Sequence, residues 1–154
     1  MLTWSVKFFD NLKPAELYRI LQLRNEVFVV EQNCVFQDAD DKDPFCHHLM
    51  GWENDALAAY SRIVPQMVAY PDYPSIGRVV TSPATRKTGV GRLLMQRSIL
   101  EVKNLYGDTG IKLGAQYYLK SFYESFGFSQ TSEIYLEDGI PHIEMMKPES
   151  DQPA

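Results

Sequence analysis

Trp4-Ser5-Val6-Lys7-Phe8 alternates apolar and polar side chains, the period of a strand with one face buried. A helix is predicted from Pro14, because proline is tolerated in a first turn. Its apolar positions Leu17, Leu21 and Phe28 recur at helical spacing, and Arg24 lies on the same stripe. An arginine there needs an anion, which Glu31 or the acidic run Asp38, Asp40, Asp41 and Asp43 can supply. The polar stretch Asn33 to Phe45 reads as a loop. Two strands follow, His48 to Glu53 and Leu57 to Val64, joined by Asn54-Asp55 as a turn. Pro65, Pro71 and Pro74 punctuate the loop to a fourth strand, Ile76 to Thr81. The strongest helical pattern runs from Gly91 to about Tyr106 and stops at Gly107-Asp108. Ile111 to Ala115 is a short strand and Leu119 to Phe126 a short helix ended by Gly127. Phe128 to Leu136 and Ile140 to Met146 read as a closing hairpin.

The resulting order, β-α-β-β-β-α-β-α-β-β, is a mixed α/β arrangement with no linker or internal repeat. Residues 1–147 are expected to form a single domain and residues 148–154 a frayed polar tail. A chain of 154 residues buries roughly two-thirds of the surface its unfolded form exposes, so one core suffices. No apolar run approaches the roughly 20 residues of a membrane span, and the start lacks the features of a secretory signal, so a cytoplasmic location is expected. A formal charge of −5 argues against nonspecific nucleic-acid binding. The two cysteines, Cys34 and Cys46, are expected to stay reduced.

Against that acidic background, the cations of Arg86-Lys87-Thr88-Gly89-Val90-Gly91-Arg92 stand out. The segment lies between a strand and the best helix. Gly89 and Gly91 let the backbone turn tightly and approach a ligand, and the first turn of the helix offers unpaired N–H donors. Together with Arg86, Lys87 and Arg92 these suit a pyrophosphate, although a solvated turn before a surface helix would use similar residues. The spacing fits neither a P-loop nor a dinucleotide-binding turn.

The segment resembles the Arg/Gln-x-x-Gly-x-Gly/Ala signature of the GNAT N-acetyltransferases. Val79-Val80-Thr81-Ser82-Pro83 resembles that family's fourth strand and its exit, and Phe122-Tyr123-Glu124-Ser125-Phe126-Gly127-Phe128 its Phe-Tyr-x-x-x-Gly-Phe block. Leu23 to Gln32 and Asp138 to His142 narrow the resemblance to the ElaA-type subgroup, and it extends from about Trp4 to Met146. It implies the GNAT fold, a mixed sheet splayed between the fourth and fifth strands. It also implies acetyl-CoA as acyl donor and an amine as acceptor. Pantetheine would pair with Val79, Val80 and Thr81, and the pyrophosphate would lie on Arg86, Lys87, Thr88, Gly89, Val90, Gly91 and Arg92. Gln116 would reach the cofactor from the end of the fifth strand, and Phe122 would flank it.

Acyl transfer to an amine needs a neutral nucleophile, a stabilised oxyanion and a proton for the thiolate. The resemblance gives Tyr123 the last role and a backbone N–H near Val79 or Val80 the second. The base is open, because Gly77-Arg78-Val79 carries an arginine where many members carry a carboxylate. Glu31, His48 and His142 are the candidates. The acidic run Asp38 to Asp43 is expected to be a solvated loop, with attraction of a cationic acceptor as the alternative. It is no calcium loop, since Asp43 and Leu49 stand where Gly and Glu are required. Cys34, Cys46, His47 and His48 lack zinc-site spacing, and His47 and His48 on a strand point to opposite faces, so no metal is expected. An acyl-homoserine-lactone synthase shares the Leu-Arg-x-x-Val-Phe pattern, and a non-catalytic acyl-CoA-binding module is the remaining alternative. Oligomeric state is open, a homodimer among the options.

Overall fold

The computed structural model describes residues 1–150; the rest of the expected tail, residues 151–154, lies outside the described residues. Strand β1 (Thr3–Phe8) leads into helix α1 (Pro14–Arg24), which begins at Pro14 with the Lys13 N–H donating to Glu16 Oε1 at 2.7 Å. Beyond Arg24 the helix widens into a π-type extension, Asn25–Glu31, with Gln32 N–H reaching back to Val27 O and Cys34 N–H to Val29 O. Strands β2 (His47–Glu53) and β3 (Ala56–Val64) follow, turning at Asn54 with φ 55°. Then come β4 (Ser75–Thr81), α2 (Val90–Tyr106), β5 (Ile111–Gln116), α3 (Lys120–Glu124), β6 (Ser129–Gln130), β7 (Tyr135–Glu137) and β8 (Ile140–Lys147).

The strands form a sheet in the order β1-β2-β3-β4-β5-β8-β6, with β7 on the same edge of β8 as β6. All neighbours are antiparallel except β4 and β5. That parallel pair touches at only one register position, Ser75 opposite Lys112, so the two strands splay from there. The mixed sheet and its splay therefore agree with the sequence-based expectation.

One face of the sheet packs on α2 and α3 through Leu94, Met95, Val102 and Tyr123, with Phe128 after α3, against Leu49, Ile63, Leu113, Ile143 and Met145. The opposite face packs on α1 through Ile20, Leu23 and Val27 against Met50, Tyr60 and Val80. The buried stripe of α1 is thus shifted from the expected Leu17, Leu21 and Phe28, which are only half-buried. The buried positions Ile20, Leu23, Arg24 and Val27 keep helical spacing, so the whole stripe is offset by one position and Val27 rather than Phe28 reaches the core.

The expected strand Phe128 to Leu136 is broken. Ser132 Oγ accepts the Glu144 N–H at 2.9 Å, and the Thr131 N–H donates to Glu144 O, which diverts residues 131–134 and separates β6 from β7. His47 and His48 do face opposite sides, His47 against Phe8 and His48 against Tyr60. Both thiols are free, with Cys34 Sγ donating to Asp138 O at 3.4 Å and Cys46 Sγ to Lys42 O at 3.1 Å.

Candidate acyl-transfer site

The splay opens a cleft of about 920 Å³ between β4 and β5. On β4 the register passes from Tyr60–Val80 to Arg62–Gly77, so Arg78 and Val79 together stand opposite Ser61. This is a bulge, and Arg78 takes a positive φ of 51° within it. A bulge beside a splay leaves backbone groups of Gly77 to Thr81 turned to the cleft without a neighbouring strand. Val79, Val80 and Thr81 all line it.

Arg86 also lines the cleft, where it meets the turn leading to α2. Lys87, with φ 64°, and Gly89, with φ 84°, bend that turn, and Gly89 caps the helix. The Thr88 hydroxyl donates to Thr85 O within it. A Cβ on Gly91 would meet nothing within 4 Å, so no packing within the chain requires glycine there. Val90, Gly91 and Arg92 supply the helix's first turn. The Arg92 side chain is engaged elsewhere, donating to Ser125 Oγ at 3.1 Å and stacking over Phe126 at 4.6 Å. Its backbone N–H stays at the helix start.

Tyr123 is 6 % exposed and lines the cleft. Phe122 and Phe128 meet its ring edge-on, and its hydroxyl has no partner among the described residues. Burial, reinforced by Tyr118, pushes the phenol up to about 12, which keeps it protonated at neutral pH. Phe122 packs between Tyr123 and Phe126 as part of the core, outside the cleft lining.

Glu31, His142 and Gln116 line the same cleft. Glu31 is a poor base here: both oxygens accept from Arg86, and that hydrogen bond, against slight desolvation, lowers its pKa. His48 is excluded as well. It is fully buried under α1, donates from Nε2 to Asp43 O at 3.0 Å and accepts the Tyr60 hydroxyl on Nδ1 at 2.7 Å, and burial lowers its pKa. His142 is better placed. Its Nδ1 donates to Ile140 O at 2.7 Å, which leaves Nε2 with a lone pair in the neutral ring, 3.4 Å from Glu137 Oε2. Gln116 donates from Nε2 to Gln32 Oε1 at 3.3 Å.

The acidic run is not a solvated loop, nor is it free to attract a ligand. Asp38 and Asp43 are buried, and Asp40 half-buried, on three arginines. Asp38 accepts from Arg24 Nε at 2.7 Å and from Arg78 Nε at 2.8 Å; Asp43 accepts from Arg24 and Arg62, each at 2.8 Å. Arg62 also donates to both oxygens of Asp40. Burial opposes these charges, but the arginine hydrogen bonds outweigh it and hold Asp40 and Asp43 well below the usual carboxylate range. The expected partners of Arg24 included Glu31; the structure selects Asp38 and Asp43. Arg62 on β3 and Arg78 on β4 are the participants the sequence did not suggest.

A splayed mixed sheet with a glycine turn leading into the helix between the two splayed strands is the architecture of an acyltransferase that uses a CoA thioester. The model of the Acetyltransferase (GNAT) domain family matches residues 13–148. ElaA of Escherichia coli K12 is 43% identical over 149 residues, which cover 96% of this chain and 97% of that protein. A crystal structure of an acyl-CoA N-acyltransferase from Pseudomonas aeruginosa superposes with a TM-score of 0.91 at 44% identity, covering 96% of this chain and 99% of the other. The crystal structure of Escherichia coli ElaA gives 0.89 at 42% identity, covering 96% and 99%. The chain belongs to the GNAT acetyltransferase family, in its ElaA-type subgroup.

Proposed function

We propose that residues 1–147 act as one unit that moves an acetyl group from acetyl-CoA to a primary amine, in the cytoplasm. The observation that carries this is the meeting of three features along one cleft: Arg86 lines it, the open bulged edge of β4 forms one wall, and Tyr123 lines it as well. The pyrophosphate rests on the 86–92 turn and the first-turn N–H groups of α2. Pantetheine extends along Val79, Val80 and Thr81 as an added strand would, which brings the thioester to the splay.

The amine nitrogen attacks the acetyl carbonyl, whose oxygen takes a hydrogen bond from β4 backbone near Val79 or Val80. His142 Nε2 accepts a proton from the attacking nitrogen. The C–S bond then breaks, and Tyr123 delivers a proton to the sulfur, giving the amide and free CoA. Gln116 holds the pantetheine side of β5.

The experiment is a screen of primary amines with acetyl-CoA, read by free thiol, on the wild type and on Tyr123→Phe. Amine-dependent thiol release that slows about a hundredfold in Tyr123→Phe is expected for loss of a general acid. Thiol release no faster than spontaneous hydrolysis with every amine would leave only a binding role.

A further inference from the structure

The sheet is covered unevenly. Helices α2 and α3 occupy one face, but α1 covers the other face only over β2 to β4, where Ile20, Leu23 and Val27 pack. Beyond the splay that face is formed by side chains alternating with the buried Leu113, Ala115, Ile143 and Met145. Two cross-strand rows define it, Gly114 opposite Glu144 and Gln116 opposite His142.

Two tyrosines lean over this face. A Cβ on Gly114 would stand 3.1 Å from Tyr135 Oη and 3.7 Å from Tyr70 Oη, so the glycine leaves room for two phenols from different elements. Tyr135 also stacks on the His142 ring at 5.9 Å. The walls are acidic: Glu137 lies beside His142, and Glu144 accepts from Thr131 Oγ1 at 2.8 Å. Burial together with Tyr135, Glu144 and Glu137 pushes Tyr70 up to about 12. Lys112 lies 5.4 Å from the Tyr70 ring and is paired with Asp72 at 3.3 Å. Tyr70, Gly114, Tyr135, Glu137 and His142 line the same cleft as Tyr123, which is 6 % exposed.

We propose that this cup on β5 and β8 is the acceptor subsite, and that it takes a small aliphatic amine carrying a second positive charge. The inference rests on the acetyl-transfer reading above. A nitrogen that attacks a thioester must be neutral at that moment, so carboxylates and aromatic faces gain only from a charge that persists elsewhere in the molecule. The rows of His142 and Gly114 are two residues apart along β5, about 7 Å, the reach of a chain of roughly four carbons. His142 receives the reacting end with Glu137 beside it, Tyr135 spans the two rows, and Tyr70 and Glu144 stand at the Gly114 row, where the end that stays charged lies.

The test compares 1,4-diaminobutane with 1-aminobutane and 4-aminobutanoate as acceptors, on the wild type and on Glu137→Gln/Glu144→Gln. The diamine is expected to exceed the monoamine in kcat/KM by about tenfold, and the double variant to bring that ratio close to unity. Should Glu144→Gln disturb folding, seen as a lower melting temperature, the exposed Glu137→Gln alone lowers the same ratio. Equal use of diamine and monoamine, or a ratio unmoved by the variants, overturns the inference and leaves acetyl transfer standing. If no amine consumes the thioester, the transfer reading fails by itself. Calorimetry of 1,4-diaminobutane with the CoA-loaded protein then decides: binding weakened by Glu137→Gln supports the subsite, and no binding overturns it.

Discussion

Arg86 donates through both terminal nitrogens to the two oxygens of Glu31, at 2.7 and 2.5 Å, linking the turn before α2 to the end of the α1 extension. Both side chains are well exposed. A carboxylate thus occupies the guanidinium that the proposed pyrophosphate would use, with the same bidentate geometry. Glu31→Gln is expected to tighten CoA binding and Arg86→Ala to weaken it, both effects shrinking at high salt. Calorimetric titration with CoA at low and high ionic strength measures this. An unchanged affinity in Arg86→Ala would remove Arg86 from the binding role.

Gly91 separates stability from binding. A Cβ there meets nothing in the chain, and alanine is the better helix former by roughly 0.5–1 kcal/mol. Gly91→Ala should therefore melt no lower than the wild type yet bind CoA more weakly, because the methyl group stands on the proposed phosphate path. Gly89→Ala differs, since its φ of 84° strains any other residue, and about 1 kcal/mol of stability should be lost. Thermal melts with and without CoA distinguish the two.

The buried network sets acid stability. Asp43 is held below its ordinary 3.8, burial being outweighed by Arg24 and Arg62, so its contribution is present above that value and fades as pH falls through the depressed value in the fold. Removing one partner leaves buried cations uncompensated. Asp43→Ala should cost about 3–5 kcal/mol in urea unfolding, and loss within the range of an exposed pair would contradict the network's importance.

At high pH the tyrosines act in the opposite direction. Burial first, with neighbouring groups, raises Tyr70, Tyr106 and Tyr123 from an ordinary 10 to about 12. The unfolded chain releases those protons earlier, so stability is full below pH 10 and declines between pH 10 and 12. Tyr123→Phe should flatten part of that decline, as denaturation titrations across the window would show.

The sequence was most informative where the chemistry is local. The order of strands and the start of α2 follow from periodicity and glycine placement, and most observed boundaries differ from those expected by a residue or two. The turn from Arg86 to Arg92 and Tyr123 were singled out by a resemblance to family motifs rather than by periodicity, and the fold brings Arg86 and Tyr123 to one cleft. What stayed hidden depends on distant partners. The acidic run looked solvated because Arg62 and Arg78, which bury it, lie across the fold on β3 and β4. The contacts of Arg92 with Ser125 and Phe126 have no local signal either, since they form only once α3 packs. The cup of Tyr70, Tyr135 and Gly114 has no motif at all, being assembled from a loop and two strands that meet only in three dimensions.

Asp38 is shared by an arginine from a helix and another from the bulged strand β4. Asp38 and Asp43, the buried carboxylates of its segment, thus tie α1 to β3 and β4. Relatives of this fold that come to prefer different acceptors would change more readily on the opposite wall, at the loop bearing Tyr70 and the strand bearing Tyr135. The ion cluster thus acts as a clamp on one wall of the cleft, and the loop bearing Tyr70 and the strand bearing Tyr135 stand outside it.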